Sequence, residues 1–284
     1  MQGYIGEEIV LTYVRGIRSR QPRMGTRKLY CLLRGVIEEN GIKMGRDKFH
    51  SVLRAHDLLV NPRRRGVRTT DSRHGYRKYP NMIKGYEASG PEQIWVSDLT
   101  FVATETGFVY VSLVTDQYSK KIMGYQVHPT LEAEGSLGAL RMALKNRSHR
   151  DKQLIHHSDR GIQYACGEYI RVLKRNGILI SMSAAGNPYE NAVAERVNGT
   201  VKGEFSLDGY FRDIAQVRGV LKESISVYNQ ERPHASCDYL TPEQAHQHQG
   251  VLKKRWKTYH RKKHPHPADE QTRKALDQLI AKAR

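Results

Sequence analysis

Three acidic residues of this 284-residue chain, Asp98, Asp159 and Glu195, stand where a carboxylate calls for a reason. Asp98 interrupts the centre of a β-rich run, Ile94-Trp95-Val96-Ser97-Asp98-Leu99-Thr100-Phe101-Val102, where a buried charge needs a cation or a donor. Asp159 follows an expected strand, Gln153–His157, at the end where parallel strands open into a ligand-binding crevice. Glu195 lies on an expected helix beyond the segment Ser183–Pro188. Singly, each acid has a plain structural role: a turn or cap for the aspartates, a solvated helix face for the glutamate. If the two strands are neighbours, Asp98 and Asp159 meet at one sheet edge and the helix carries Glu195 over them. Carboxylates gathered in that way repel one another until a hard cation such as Mg²⁺ joins them. Two such ions about 4 Å apart activate an attacking oxygen and stabilise a leaving one in phosphoryl displacement.

The elements that must position these acids can be read on either side. The Asp98 strand ends at Glu105-Thr106-Gly107, Phe108–Val114 follows, and Lys121–Val127 makes a third strand of an antiparallel meander. An amphipathic helix over Leu131–Lys145 precedes the Gln153–His157 strand. A helix around Tyr169–Arg175, a strand Ile178–Met182 and a helix from Asn191 complete the series. This order predicts an α/β fold, a ribonuclease H-like mixed five-stranded sheet flanked by helices. Further helices are expected over Ile214–Tyr228 and after the capping-box pattern Thr241-Pro242-Glu243-Gln244.

The first sixty residues predict an all-α, helix-turn-helix-like unit. Tyr4–Gly16 is its first helix; Thr26 N-caps a second, with Leu29, Leu32, Leu33, Val36 and Ile37 at helical spacing before Asn40-Gly41. Phe49, Val52 and Leu53 mark the third. The expected organisation is a helical DNA-binding domain over 1–60, a basic linker over 61–90, a catalytic core with C-terminal helices over 91–248 and a basic tail over 249–284.

Charge points to the polyanion. The net charge of +18 is divided unevenly: residues 1–86 hold 19 Lys+Arg against 7 Asp+Glu, 87–204 hold 13 against 13, and 205–284 hold 15 against 9. Basic flanks around a neutral middle suit DNA, because each phosphate contact releases condensed counterions. Arg46 and Lys48 on the third helix, and Arg63, Arg64 and Arg65 in the linker, are the expected backbone contacts. Cys31, Cys166 and Cys237 form no CxxC pair, which suggests neither a disulfide framework nor a cysteine zinc site and fits a reducing cytosol. No stretch approaches the roughly 20 apolar residues of a membrane span.

Around the acids, Asn191, Glu195, Asn198 and Lys202 are spaced by four, three and four residues, on one helix face. Asn191 is expected to orient Glu195 or touch a base, Arg160 to meet phosphate, and His156 or His157 to approach the backbone or fill a structural role. Gly186, Asn187 and Tyr189 read as a loop that closes over DNA. Trp95 reads as core.

The segments Trp95–Thr100, His157-Ser158-Asp159-Arg160-Gly161-Ile162-Gln163-Tyr164 and Gly186-Asn187-Pro188-Tyr189-Glu190-Asn191-Ala192-Val193-Ala194-Glu195 resemble the three signatures of DDE transposases and retroviral-type integrases, with 35 residues between Asp159 and Glu195. Within that superfamily the chain resembles the second-frame (OrfB) product of the IS-three insertion-sequence family. Tyr228-Asn229-Gln230-Glu231-Arg232-Pro233-His234 followed by Thr241-Pro242 is similar to that group as well. The resemblance implies a metal-dependent transposase that cleaves and joins element ends. It uses Mg²⁺ (two ions, with Mn²⁺ able to substitute) on Asp98, Asp159 and Glu195, and has Lys202 near the cleaved phosphate. It also implies element-end and target DNA as partners, a homodimer or higher synaptic multimer, and an upstream-frame helix-turn-helix/leucine-zipper protein or fusion. Its place would be the bacterial cytosol, in association with the nucleoid. The rival readings are a ribonuclease H-like nuclease without strand transfer and a non-catalytic DNA-binding regulator. Two positions depart from the pattern: Glu190 stands where many relatives carry Asp, and Cys237 where an aliphatic residue is common.

Overall fold

A computed structural model describes residues 2–60, 75–184 and 190–255. Arg63, Arg64 and Arg65, the expected loop residues Gly186, Asn187 and Tyr189, and the tail from 256 onward lie outside them.

The central sheet runs β3-β2-β1-β4-β5. β1 (Ile94–Thr104), β2 (Gly107–Asp116) and β3 (Ile122–His128) form the expected antiparallel meander. β4 (Ile155–Ser158) adds to β1 in parallel, and β5 (Leu179–Met182) adds to β4. A two-residue β6 (Tyr210–Phe211), absent from the sequence reading, pairs with the far end of β1.

Strand alternation sends side chains to two cores. On one face Trp95, Val114 and Met123 pack with α4 (Ala133–Lys145), α5 (Ile162–Ala165) and α6 (Gly167–Arg175) through Leu137, Leu140, Tyr164, Tyr169 and Leu173. Gly124 is what lets α4 lie so close: a Cβ there would stand 2.1 Å from the Ala139 carbonyl oxygen. On the other face Val102, Val111 and Leu113 meet α7 (Ala192–Glu204) and α8 (Ile214–Gln230) through Val197, Val201, Leu221 and Tyr228. The result is a sheet with helices on both sides.

α8 is fastened to the outer strand by the Tyr228–His234 motif. Asn229 accepts from the Ile122 amide at 2.9 Å and donates to the Ile122 carbonyl at 3.0 Å, standing in for a strand partner on the sheet edge. The Tyr228 hydroxyl donates to the Lys120 carbonyl at 3.0 Å. α9 (Pro242–His246) begins with the expected capping box, both of whose hydrogen bonds form.

The N-terminal helices are α1 (Gln2–Arg20), α2 (Thr26–Glu39) and α3 (Arg46–Ala55), closed over Leu11, Val14, Leu29, Leu33, Phe49 and Leu53. Thr26 is not the cap of α2: it is the first helical residue, and Gly25 holds the cap position without a side-chain bond. Gly41, at φ 62°, turns the chain out of α2 as the Asn-Gly pair implies.

Candidate active site

β1 pairs with β4 only as far as Ser97 opposite Ser158, and with β6 only from Ala103 onward. Between these two partners, residues 98–102 face an edge that no strand among the described residues occupies. α7 fills it with a rail of polar side chains. Asn191, at the N-cap of α7, donates to the Ser97 carbonyl at 3.0 Å; Asn198 donates to Asp98 Oδ2 at 2.9 Å; Lys202 donates to the Phe101 carbonyl at 2.7 Å. The helical spacing read from the sequence is therefore the spacing of this rail.

Asp98 is the first residue past the end of β1–β4 pairing, and Asp159 is the first past the end of β4. The parallel register thus sets the two aspartates side by side at one fork of the sheet. Asp159 folds back on its own turn, with Oδ1 accepting from the Gly161 amide at 2.9 Å. Glycine leaves room there: a Cβ at 161 would stand 2.7 Å from Gln163 Oε1 and 3.0 Å from Asp159 Oδ1, so a larger residue would make those side chains shift. Glu195 is exposed in the first turn of α7, one turn before Asn198.

The three acids share one electrostatic environment. The Asp98 carboxyl is pushed up to about 7, chiefly by burial; the Asn198 amide opposes the rise, and the charges of Asp159 and Glu195 add to it. The buried Tyr164 phenol is driven up by burial and then by Asp98 and Asp159. These are the marks of an acidic cluster stabilised by neutral donors, with no cation among the causes acting on Asp98 from the described residues.

Two family models, each of the integrase core domain, match the chain, one over residues 88–188 and the other over 176–242. The chain is 37% identical over 233 residues to the insertion element IS600 uncharacterized 31 kDa protein of Shigella sonnei, covering 81% of this chain and 83% of the relative. It is 32% identical to the transposase for insertion sequence element IS629 of Shigella sonnei, over 78% of this chain and 73% of that one. It is 35% identical to the transposase InsF for insertion sequence IS3A of Escherichia coli K12, over 66% and 68% respectively. The chain belongs to the IS3 family of insertion-sequence transposases. An IS3-family transposase is a polynucleotidyl transferase that acts on DNA, and divalent metal use goes with its integrase core. That assignment leaves the purely hydrolytic nuclease and the non-catalytic regulator unfavoured.

The three expected acids fit such ions in chemistry. Asp98, Asp159 and Glu195 offer oxygen alone, as hard cations require, and the first of them is pushed up chiefly by burial and then by the charges of the other two. Among the described residues no group of three or more His, Cys, Asp or Glu side chains is arranged as a ready-made metal cage. Mg²⁺ does not need one, since it keeps several waters and takes one or two carboxylates.

Two expected DNA contacts are corrected by burial. His157 is fully buried, with Nδ1 at 2.8 Å from Ser181 Oγ, and burial depresses its ring to about 4 against the pull of Glu190. Asn191 is buried on the Ser97 carbonyl, so it braces β1. Both side chains face the interior. His156 is also structural: its Nε2 lies 2.7 Å from Ser97 Oγ and 3.0 Å from the Tyr169 hydroxyl, and burial takes its pKa to about 3. Trp95 is core, as expected.

The remaining basic candidates lie outward. Arg46 is exposed beside Asp47, Lys48 is exposed with Glu7 at 3.7 Å, and Arg160 is partly buried. Sequence reasoning put Asn198 on the right helix face but gave it no role, and missed Glu204, which receives two bonds from Arg232 and one from Lys28. Polar residues aimed at partners a hundred positions away leave no local spacing signal. No described helix is long and apolar enough to cross a membrane.

Proposed function

We propose that Asp98, Asp159 and Glu195 are the catalytic carboxylates of this transposase, holding two Mg²⁺ ions, for which Mn²⁺ can substitute. The observation that carries the reading is the placement of Asp98 and Asp159 at the fork where β1 and β4 part, with the Asp98 carboxyl pushed up first by burial and then by the charges of Asp159 and Glu195. Asp98, Asp159 and Glu195 would together hold the ions, each through carboxylate oxygen. When bound, the ions activate the attacking oxygen and stabilise the leaving one.

The chain's own work is to hold the phosphodiester over the fork and fix the acids around it. Water attacks the bond at an element end and frees a 3′-hydroxyl. That hydroxyl then attacks a second phosphodiester, exchanging one bond for another, so no covalent protein–DNA link is required. By family resemblance the first joining links one element end to the other in a circular intermediate before insertion.

DNA would lie across Lys202 and Arg160 at the core, Arg46 and Lys48 on α3, and the linker arginines Arg63, Arg64 and Arg65. The domain division in this reading is 1–60, 61–90, 91–248 and 249–284. Two ends must be held together, which calls for at least a homodimer. An upstream-frame helix-turn-helix/leucine-zipper partner would supply further recognition of the ends, at the nucleoid.

The test is incubation of labelled element-end DNA with Mg²⁺ or Mn²⁺ and wild type, Asp98→Ala, Asp159→Ala or Glu195→Ala. Each variant is expected to lose cleavage and joining while keeping most of its DNA affinity. Pre-cleaved ends isolate the joining step from hydrolysis. Full activity in any one variant overturns the assignment.

A further inference from the structure

Asn198 is 5% exposed, and its amide donates to Asp98 Oδ2 at 2.9 Å, which fixes the amide's orientation because a carboxylate can only accept. Its other polar atom, Oδ1, is buried without a hydrogen-bond partner. An unsatisfied buried acceptor is costly, and a residue selected for packing alone would not carry one. Around it, α7 already packs on the sheet through Val197 and Val201, so an amide at 198 is not needed to seat the helix. What it does contribute is one rigid bond to the carboxylate, from the same helix that carries Glu195 one turn earlier.

We propose that Asn198 is a positioning residue. It holds the Asp98 carboxylate in one orientation and ties it to the helix of Glu195, so that the two acids approach divalent metal as a set. The inference rests on the reading of Asp98 and Glu195 as metal ligands. Residues that orient ligating carboxylates typically change metal affinity or activity by about 10–100-fold when removed. The free strand edge explains why a side chain helps to do this: past Ser97, β1 has lost β4 as a neighbour, and besides the Leu99 amide of its own strand the carboxylate takes its bond from Asn198.

Mn²⁺ titrated into the full chain without DNA, followed by the paramagnetic resonance of the free ion, reads this directly. Asn198→Leu is expected to raise the Mn²⁺ dissociation constant tenfold or more while the chain still unfolds in one cooperative thermal transition. In strand-transfer assays the same variant should need more Mn²⁺ for half-maximal rate and recover near-normal rate at saturation. Should Asn198→Leu unfold, Asn198→Ala serves in the same titration. Asp98→Asn is the reference. If it abolishes binding while the Asn198 variants bind as wild type, the positioning role is refuted and the catalytic assignment stands. If Asp98→Asn itself binds as wild type, the catalytic assignment falls and the positioning role with it.

Discussion

Lys202 donates to the carbonyl oxygen of Phe101 at 2.7 Å, and its ammonium lies 4.5 Å from the centre of the same residue's ring. The cation that family resemblance assigns to the cleaved phosphate is thus, in the DNA-free chain, a stitch between the end of α7 and the open edge of β1. Burial lowers its pKa, as expected of an ammonium drawn out of water. A hydrogen bond to a charged donor and a half-buried cation–π contact together stabilise by about 1–3 kcal/mol. Lys202→Met should therefore lower the thermal midpoint by a few degrees even without DNA, at roughly 2–4 °C per kcal/mol for a chain of this size. An unchanged midpoint alongside weakened DNA binding would leave Lys202 a DNA contact alone.

The Asp98 carboxyl, raised from 3.8 to about 7 by burial and then by its acidic neighbours, makes a linkage prediction. A group whose folded pKa is raised favours the folded state fully below its unfolded pKa, and that contribution fades as pH climbs through the folded one. Metal-free protein should accordingly lose stability between about pH 4 and pH 7. Asp98→Asn removes the titration: it should stabilise the metal-free chain at pH 8 by roughly 1–3 kcal/mol and do little at pH 4. Chemical denaturation at the two pH values checks both arms, and an identical difference at each would count against the shift. Added Mg²⁺ should narrow the gap at pH 8 by stabilising wild type.

Much of this site can be read before folding, and the part that cannot has a common cause. The acids declared themselves because Asp98 breaks an apolar strand, Asp159 ends one, and a helix opens before Glu195; all three signals are local. The meander and the mixed sheet followed from alternating strands and helices for the same reason, whereas the pairing of β1 with β4 comes from the fold. By contrast, β6 is two residues long and exists only because β1 outruns β4 and offers it a partner. His157 reads as a strand-end contact but points inward to Ser181 on β5, a neighbour no sequence spacing reveals. Asn229 and Arg232, within a motif that looks functional, answer a strand edge 107 residues away and a half-buried carboxylate 28 residues away respectively. Thr26 has the right chemistry to cap α2, yet the helix begins one residue sooner.

Glu204 makes the next case. At the end of α7 it accepts from Arg232 at 2.7 and 2.8 Å and from Lys28 at 2.6 Å, while its own carbonyl accepts from the Arg23 amide at 3.1 Å. Burial alone would raise its pKa, but Arg232 and Lys28 outweigh that and hold it below the usual carboxylate range. One residue therefore binds α7 to the segment just past α8 and both to the N-terminal helical unit. Glu204→Ala would leave the nearly buried Arg232 guanidinium uncompensated, a change that costs about 3–5 kcal/mol. Lys28→Met, which spares that pair, should cost less than half as much. Proteolysis should then cut the N-terminal helices away more readily in both variants, and global unfolding should move strongly only in the first.

Gly161 offers the sharpest separation of site geometry from DNA binding. Its amide donates to Asp159 Oδ1 at 2.9 Å, and the missing side chain leaves room for Gln163 Oε1 and for that same carboxylate oxygen. A methyl group there meets both at distances real Cβ atoms avoid, 2.7 and 3.0 Å. Gln163 can swing away at the cost of its bond to the Leu131 carbonyl; Asp159, fixed by its backbone at the end of β4, can only turn. An aspartate turned by even an ångström is misaligned for in-line displacement, and errors of that size cost on the order of 100-fold in rate. Gly161→Ala should therefore depress strand transfer by at least tenfold with DNA affinity preserved, because no basic residue moves. Gly161→Ala together with Gln163→Ala relieves the nearer clash only. If that pair regains wild-type rate, Asp159 was never displaced and the constraint at 161 belongs to the glutamine.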